Sequence, residues 1–451
     1  MLGWRAQPVV PSGGSTASFP TGSGSIFRVF FVAVTCYSLA AVAATSASRD
    51  PVPGSGYYYP CPVELRANHS NYCDCNALSE IVCYNLDQIP TFIRDGNVYT
   101  GLYMEHQAIR QVSQAVFFDI KVKKITMNFN PIGDRISVNA LSGLERILEE
   151  LQLGQCAIRT LPESLLVAMN QLKILHLWGN DIEEIPDDFF ANTNQLRELS
   201  LWGNAIGKLN AHTFAGLWQL RKLDLDRNRI SNLNKNVFRH LGNLEALHLG
   251  ENRINTLNSD TFVYAKGLKL LNLDNNGLAY IYDGAFGGLR SLKVLGLQHN
   301  KLNYLSDEMF TGLRNLSILW LQHNELEYMW AKNFDNLKRL QELHLSYNRL
   351  TGLPDRLLRS CSELAHLFVD HNALSTLKKC SLPRKIRLKT LSLLANPITC
   401  DCRLSWILEL QKKRTTVWGN CLHTPLKTVT AITDRENYGQ CTHSVEECTR
   451  Q

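Results

Sequence analysis

The sequence lacks the motifs by which several enzyme classes are recognised. It contains no H-E-x-x-H motif and no C-x-x-C pair. A serine in a G-x-S-x-G-like setting occurs only in the Gly- and Ser-rich leader, and Gly203–Leu209 has one residue too few between its glycines for a phosphate-binding loop. These absences argue against catalysis, and we expect neither a cofactor nor a bound metal.

Charge of one sign and long hydrophobic runs are also scarce. The 47 basic and 41 acidic side chains leave a net charge of only +6. A nucleic-acid-binding protein usually concentrates basic residues on one face, so no nucleic-acid partner is expected. The main apolar run, about 16 residues from Val29, is shorter than the roughly 20 residues that span a bilayer.

This apolar run favours a cleaved signal peptide. Residues 1–25 are rich in Gly, Ser, Pro and Thr, and the apolar stretch Ile26–Ala44 is followed by small residues suited to signal peptidase. The long lead before the stretch keeps an uncleaved signal anchor open as the alternative. We assign 1–47 to a low-complexity leader and signal peptide, and 48–60 to a linker.

The rest of the chain is organised around a repeat of 24 residues. Each copy has the form L-x-x-L-x-L-x-x-N, the leucine-rich repeat pattern, in which a short strand and a return segment form one unit. The copies begin at Leu172, Leu196, Leu220, Leu244, Leu268, Leu292, Leu316, Leu340, Leu364 and Leu388. Three degenerate units precede them, at Tyr99, Val122 and Leu148. We therefore predict an α/β repeat solenoid of about 13 repeats over 96–395.

The geometry of a strand assigns a role to each position of the repeat. Leucines at positions one, four and six point inward, and the residues that flank them face outward. The Asn at position nine is expected to turn inward and satisfy backbone groups at the bend. A Phe in the return segment fills the convex side. The prediction is a horseshoe with a concave parallel β-sheet.

Cysteines cluster at both ends of this array. One group comprises Cys61, Cys73, Cys75 and Cys83, and the other comprises Cys400, Cys402, Cys421 and Cys441. Clusters of this kind favour disulfides and an oxidising compartment. A zinc site is the alternative for the first group, although the C-x-x-C pairs of zinc ribbons are missing. The sequence leaves three connectivities for each group of four.

The two groups carry a family resemblance. Cys61-Pro62 followed by C-x-C, and Asn396-Pro397-x-x-Cys400-x-Cys402, resemble the caps of extracellular leucine-rich repeat proteins such as Slit, the Nogo receptor, Toll-type ectodomains and the acid-labile subunit. The resemblance implies an N-terminal cap at 61–95 and a C-terminal cap at 396–441, with a tail at 442–451. It also implies the disulfides Cys61–Cys75, Cys73–Cys83, Cys400–Cys421 and Cys402–Cys441.

The remaining cysteines are assigned individually. Cys156 replaces the Asn of its repeat and is expected to be a buried, inert thiol. Cys361 and Cys380 lie on the return segments of adjacent repeats and are candidates for a fifth bridge. Cys448 is left without an evident partner.

The resemblance implies binding, but it names no ligand, because these relatives share a fold and not a common partner. Only ten residues follow Cys441, with no hydrophobic run, which favours a secreted or pericellular protein without membrane attachment. The alternative is a receptor ectodomain at the outer face of the plasma membrane. Asn68 and Asn315 lie in N-x-S sequons and are candidates for glycosylation. We expect an extracellular protein ligand or a cell-surface receptor as partner.

Sulfated glycans are a further candidate partner, because position two of the repeats is repeatedly basic. This basic row consists of Lys173, Arg197, Arg221, Lys269, Lys293 and Lys389, interrupted by Glu245. Such a row could meet a glycosaminoglycan of the matrix, while a solvated edge of the sheet is the simpler interpretation.

The concave face carries the candidate site, because it is lined with aromatic side chains. Position seven holds Trp178 and Trp202, and position five holds His176, Trp320, His344 and Phe368. Large rings exposed on a sheet are the residues that anchor protein interfaces. The competing interpretation is that the two tryptophans pack on each other to protect the strands.

A histidine row extends this candidate site. His299, His323 and His371 occupy position eight of their repeats, with Tyr347 at the same position of the repeat between His323 and His371. His299 and His323 lie about one strand spacing apart. At that separation they could share a metal or titrate together as a pH switch. A solvent-exposed ladder without such a role is the simpler alternative.

Overall fold

The computed structural model describes residues 61–64, 71–76, 78–383, 385, 387–423, 428–439 and 441. The chain divides into two units, Met1–Tyr58 and Tyr59–Gln451, and all of these residues lie in the second. The predicted signal peptide and linker, the Asn68 sequon, the tail and Cys448 lie outside the described residues.

The second unit consists of short strands with little helix. The strands are β1 (Val63–Glu64), β2 (Tyr72–Cys75), β3 (Glu80–Tyr84), β4 (Thr91–Phe92), β5 (Val98–Tyr99), β6 (Gly101–Tyr103), β7 (Lys121–Val122), β8 (Lys124–Thr126), β9 (Glu150–Gln152), β10 (Ile174–His176), β11 (Glu198–Ser200), β12 (Lys222–Asp224), β13 (Ala246–His248), β14 (Thr256–Leu257), β15 (Leu270–Asn272), β16 (Tyr280–Ile281), β17 (Val294–Gly296), β18 (Ile318–Trp320), β19 (Glu342–His344), β20 (His366–Phe368), β21 (Thr390–Ser392), β22 (Thr416–Trp418), β23 (Asn420–His423) and β24 (Thr428–Ala431). The described helices are α1 (Ile407–Lys412) and three 3-10 turns, Lys379–Ser381, Cys402–Leu404 and Arg435–Tyr438. No helix among the described residues has the length and apolar character needed to cross a membrane.

Sixteen strands form one sheet, in the order β2-β3-β6-β8-β9-β10-β11-β12-β13-β15-β17-β18-β19-β20-β21-β22. β2 and β3 are antiparallel, and every later neighbouring pair that we resolve is parallel. Equivalent repeat positions pair across the sheet, as Leu175 does with Leu199. The unit is therefore the parallel-strand solenoid of leucine-rich repeats that the sequence predicts.

Leucine and phenylalanine columns fill the interior. The strand leucines are buried throughout, and the return segments contribute a column of fully buried rings at Phe214, Phe238, Phe262, Phe286, Phe310 and Phe334. Neighbouring rings stack, with 5.6 Å between the centroids of Phe238 and Phe262. Burying one such ring contributes about 1.5–3 kcal/mol to stability. The ring is buried only because it packs against the neighbouring repeats.

The asparagines at position nine hold the bends together. Asn252 donates from Nδ2 to the carbonyl oxygens of Leu225 and Leu249, at 2.9 and 3.2 Å, and its Oδ1 accepts from the N–H of Ile230 at 3.0 Å. The same bonds recur from Asn180 to Asn396. One amide thus links two consecutive turns and satisfies backbone groups that the bend leaves unpaired.

Both caps continue the sheet and carry disulfides. The structure pairs Cys61 with Cys75, Cys73 with Cys83, Cys400 with Cys421 and Cys402 with Cys441, as the resemblance implies. β3 pairs with β6 at one end and β22 with β21 at the other, so neither terminal repeat strand is left as a bare edge.

The proposed bridge between Cys361 and Cys380 is wrong. Cys361 is a free, fully buried thiol whose Sγ faces the carbonyl oxygen of Phe334 in the core, and burial raises its pKa to about 12. Cys380 is disulfide-bonded, but not to Cys361. Adjacent return segments do not by themselves direct two side chains toward each other. Cys156 is also a free buried thiol, with its pKa raised to about 11 by burial.

Candidate functional site

The outward residues of the sheet form ordered rows. In β10 the central Leu175 is buried, while Ile174 and His176 on either side of it are half-buried. Because the strands are parallel and in register, equivalent positions of successive repeats lie side by side. We call the surface formed by repeat positions three, five, seven and eight the strand face. It is the concave face of the prediction.

Four rings toward the N-terminal end of this face form a continuous row. We call His106, Phe129, Trp178 and Trp202 the first ring row. His106 stacks on Phe129 with 4.2 Å between centroids, Phe129 meets Trp178 edge-on at 5.4 Å, and Trp178 meets Trp202 at 6.5 Å. The Arg227 guanidinium lies 5.2 Å from the Trp202 ring centroid, in cation–π geometry.

The Trp178 ring packs on a glycine of the preceding repeat, Gly154. A Cβ on Gly154 would lie 2.3 Å from the Trp178 ring. The glycine that follows Trp178 does not leave the surface bare, because a Cβ on Gly179 would meet the Gln155 side chain at 2.4 Å. Both tryptophans are half-buried. The indoles therefore touch each other and still keep part of their surface open.

Sequence reasoning missed His106 and Phe129. Both occupy position eight of the degenerate units that start at Tyr99 and Val122. Phe129 keeps 41% of its surface exposed. Carrying the repeat register back into these units would have placed both rings on the strand face.

A second ring row lies toward the C-terminal end of the face. Trp320, His344 and Phe368 are paired directly across β18, β19 and β20. His344 stacks on Phe368 with 4.4 Å between centroids, and its Nε2 lies 2.5 Å from Glu342 Oε1. The His344 contact holds the pKa of Glu342 below its usual range. The structure thus brings together three of the predicted site residues, which we call the second ring row.

The residues of the predicted histidine row form a stacked ladder. His299, His323, Tyr347 and His371 stack in sequence, with 4.1–4.2 Å between centroids and 9–11° between ring planes. Face-to-face rings do not point their nitrogens at one common position. Among the described residues no group of three His, Cys, Asp or Glu side chains is arranged to hold a metal. Burial and the neighbouring His299 and His371 lower the pKa of His323.

His176 lies in the first half of the face, beside a charged pair. Its Nε2 is 3.6 Å from Glu198 Oε1, which also accepts from Lys222 Nζ at 2.8 Å. His176 and Lys222 together hold the pKa of Glu198 at about 2. His176, Glu198 and Lys222 therefore form a polar group beside the first ring row.

Carboxylates occupy the repeats between the two ring rows, and sequence reasoning missed them. Asp224 and Asp226 come from one repeat, and Asp274 comes from the second repeat after it. The Gly250 N–H donates to Asp226 Oδ1, and a Cβ on Gly250 would lie 2.1 Å from Asp274 Oδ1. His248 Nδ1 lies 3.9 Å from Asp226 Oδ2. The Asp226 and Asp274 carboxylates therefore pack against Gly250, where a side chain would collide with them.

Burial raises the pKa of two of these carboxylates, Asp224 and Asp226. Burial, with repulsion from Asp224, raises the pKa of Asp226 to about 8. Burial also raises the pKa of Asp224 and lowers that of His248. Asp226 is thus mainly protonated at neutral pH. Aspartates at positions five and seven of one repeat face the same side of the sheet, and this spacing is the signal that could have identified them.

Half of the basic row is already paired. Lys173 Nζ lies 2.6 Å from Glu149, and Glu245 holds both Arg221, at 3.3 Å, and Lys269, at 2.7 Å. These pairs reduce the charge available to a sulfated glycan. In the remaining sequon, Asn315 donates from Nδ2 to the carbonyl oxygen of Arg290 at 2.8 Å and is half-buried.

Comparison with known protein families finds a match in the repeat region of the chain. The family model described as leucine rich repeat matches residues 170–230, 219–278, 266–326 and 330–374. The comparison with curated protein sequences gives no match.

Solved structures with the same architecture are found. A chain of the Toll–Spatzle complex of Drosophila superposes with a TM-score of 0.60 at 18% identity, covering 75% of this chain and 54% of that one. A chain of the octameric complex of Latrophilin 3, Unc5D and FLRT2 gives 0.56 at 21%, covering 84% and 99%. An internalin of Listeria monocytogenes gives 0.52 at 19%, covering 66% and 82%. The chain spans about half of the Toll-complex chain, and at these identities the similarity shows the fold.

Proposed function

We propose that this leucine-rich repeat protein, whose array ends in disulfide-bonded caps, binds another extracellular protein through its strand face. The observation that carries the proposal is the pair of ring rows on that face. Aromatic rings that are fixed by their neighbours and partly open to solvent anchor interfaces at low entropic cost. Proteins of this fold are typically interaction scaffolds, and the proposed activity is non-catalytic.

The cellular location forms part of the proposal. Four disulfides within the described residues favour an oxidising compartment. We propose a secreted or pericellular protein, with a cell-surface receptor ectodomain as the second candidate. The solved neighbours support either one, because they come from a complex of Toll with Spatzle and a complex of FLRT2 with Latrophilin 3 and Unc5D. Recovery of the expressed full-length chain from medium or from membranes decides between the two.

The binding proposal is tested on the first ring row. Screening the purified protein against displayed secreted and cell-surface ectodomains supplies a partner. The double variant Trp178→Ser/Trp202→Ser should then bind that partner at least about tenfold more weakly, because removing a hot-spot residue costs about 2 kcal/mol or more. Affinity is measured by surface plasmon resonance, and circular dichroism confirms that each variant is folded.

Trp218→Ser is the matched control. Trp218 is 54% exposed and packs edge-on against His240, away from both ring rows, so its replacement should leave affinity unchanged. A first-row variant that is folded and binds normally moves the site to Trp320 and Phe368. If the variant Trp320→Ser/Phe368→Ser also binds normally, the strand face is not the interface.

A further inference from the structure

A second aromatic surface lies outside the strand face. It consists of five exposed side chains, which we call the lateral patch: Tyr280, Tyr282, Tyr304, Tyr328 and Trp330. Tyr328 is 67% exposed and Trp330 is 61% exposed. Soluble surfaces rarely expose rings in clusters of this kind unless something binds there.

The patch follows the repeat register. Tyr280, Tyr304 and Tyr328 are spaced by 24 residues and occupy position thirteen of three consecutive repeats, while Tyr282 and Trp330 occupy position fifteen. The preceding repeat has Thr256 and Asn258 at these positions, and the following repeat has Gly352 and Pro354. The rings are thus confined to three neighbouring repeats, and core packing does not account for side chains this exposed.

Backbone contacts place the segments that carry the patch side by side and outside the sixteen-stranded sheet. β16, which contains Tyr280, pairs with β14 in a two-stranded sheet distinct from the sixteen-stranded one. The N–H of Glu327 donates to the carbonyl oxygen of Asn303 at 3.4 Å, which sets Tyr328 beside Tyr304.

Three of the five rings contact one another before any ligand binds. Tyr280 packs edge-on against Tyr282 at 4.5 Å and lies 5.9 Å from Tyr304. A hydrogen bond with Tyr280 raises the pKa of Tyr304 to about 12. The backbone N–H of Trp330 donates to Oδ1 of the buried Asn333 at 2.7 Å, and Asn333 Nδ2 donates to the Leu305 carbonyl oxygen at 2.9 Å. These bonds fix the backbone that carries the Trp330 ring. The packed tyrosine rings lose little entropy on binding.

The surroundings of the patch are acidic in a chain that is basic overall. Residues 277–285, 301–309 and 325–333 contain five acidic side chains and two lysines, a difference of −3, whereas the whole chain carries +6. Arg349 from the next repeat lies 3.0 Å from Glu325 and 3.8 Å from Glu327, and including it changes the difference to −2. Asp283, Asp307 and Glu308 remain around the tyrosines.

We infer that the lateral patch binds a basic segment of a partner protein, with arginine or lysine side chains lying over the Tyr and Trp rings. Tyrosine and tryptophan faces attract guanidinium and ammonium groups, and the surrounding carboxylates attract the same charge. The strand face takes no part in this contact. The inference therefore stands or falls separately from the proposed function.

A short peptide that alternates glycine and arginine is the probe. Its fluorescence anisotropy is followed as the full-length protein is added at physiological ionic strength. The double variant Tyr328→Ser/Trp330→Ser should bind it at least about tenfold more weakly than wild type. The matched control is Tyr264→Ser, an exposed tyrosine outside the patch, which should bind as wild type does. The same peptide with citrulline in place of arginine keeps the shape without the charge and should not bind.

Three results would overturn the inference. The first is no binding of the arginine peptide to wild-type protein. The second is equal binding of the citrulline peptide, which would show that charge is not recognised. The third is unchanged binding by Tyr328→Ser/Trp330→Ser together with loss in Asp283→Asn/Asp307→Asn, which would show that exposed carboxylates act without the rings. Thermal melts of each variant confirm that the array is intact.

Discussion

At pH 8 the variant Asp226→Asn is expected to be more stable than wild type by about 2 kcal/mol, while at pH 4 the two should be nearly equal. Asparagine keeps the Oδ1 that accepts from the Gly250 N–H, and it cannot ionise. The variant therefore keeps the contact and removes the titration.

The direction of the pH effect follows from the raised pKa of Asp226, which is about 8 in the folded protein, against an ordinary aspartate value of 3.8. Below pH 3.8 both states hold the proton, so the carboxyl has no effect on the pH dependence of folding. Between pH 3.8 and 8 the unfolded state releases the proton and the folded state retains it, so stability falls as pH rises. One proton changes the free energy of unfolding by up to about 1.4 kcal/mol per pH unit. We expect less than the full sum because the side chain keeps 21% exposure and Asp224 titrates beside it.

Urea denaturation of both proteins across this pH range provides the measurement. Asp181→Asn, which removes an exposed carboxylate, is the control and should follow wild type. An advantage of Asp226→Asn that is the same at pH 4 and pH 8 would show that Asp226 is not held neutral by the fold.

The 24-residue period was sufficient to predict the solenoid. Every repeat places its leucines at the same positions, so the register of Leu175 against Leu199 follows directly from the spacing of the leucines. The position of Trp320 beside His344 and Phe368 follows from the same register. Any feature that depends on position within the repeat is readable in this way.

Features that depend on the direction of a side chain or on its charge environment were not readable. Cys361 and Cys380 lie in adjacent repeats, but Cys361 points into the core. Asp226 looks in the sequence like an ordinary surface acid, and its pKa depends on how deeply neighbouring strands bury it. The lateral patch lies in return segments, where rings usually fill the core, and only the exposure of Tyr328 and Trp330 separates them from such rings.

Replacing Asn252 with leucine is expected to destabilise the protein by about 3 kcal/mol or more. The two Nδ2 hydrogens of Asn252 are shared among three backbone carbonyl oxygens within hydrogen-bond distance, and its Oδ1 accepts from the N–H of Ile230. Leucine fits an apolar interior, but it leaves these groups buried without partners. Each unsatisfied buried group costs about 1–3 kcal/mol.

Asn252→Cys should reduce the free energy of unfolding clearly less than Asn252→Leu, because cysteine already occupies the equivalent position of another repeat. Cys156 occupies position nine of its repeat, and its Sγ donates to the carbonyl oxygens of Met127 and Gly154 at 3.2 and 3.4 Å. Asn252→Cys therefore keeps a weak donor and loses the acceptor, and we expect about half the cost of the leucine variant. Asn232→Leu, at an exposed position, is the control and should change stability by less than about 0.5 kcal/mol.

Chemical denaturation gives the size of the Asn252 effect, and hydrogen exchange locates it. Repeats contact only their neighbours, so the loss of protection should be concentrated in β12, β13 and β15, on either side of the altered bend. Those strands carry Asp224 and His248, which lie between the two ring rows. If leucine and cysteine cost the same, the amide hydrogen bonds are not what holds the bend. The array would then depend on apolar packing alone.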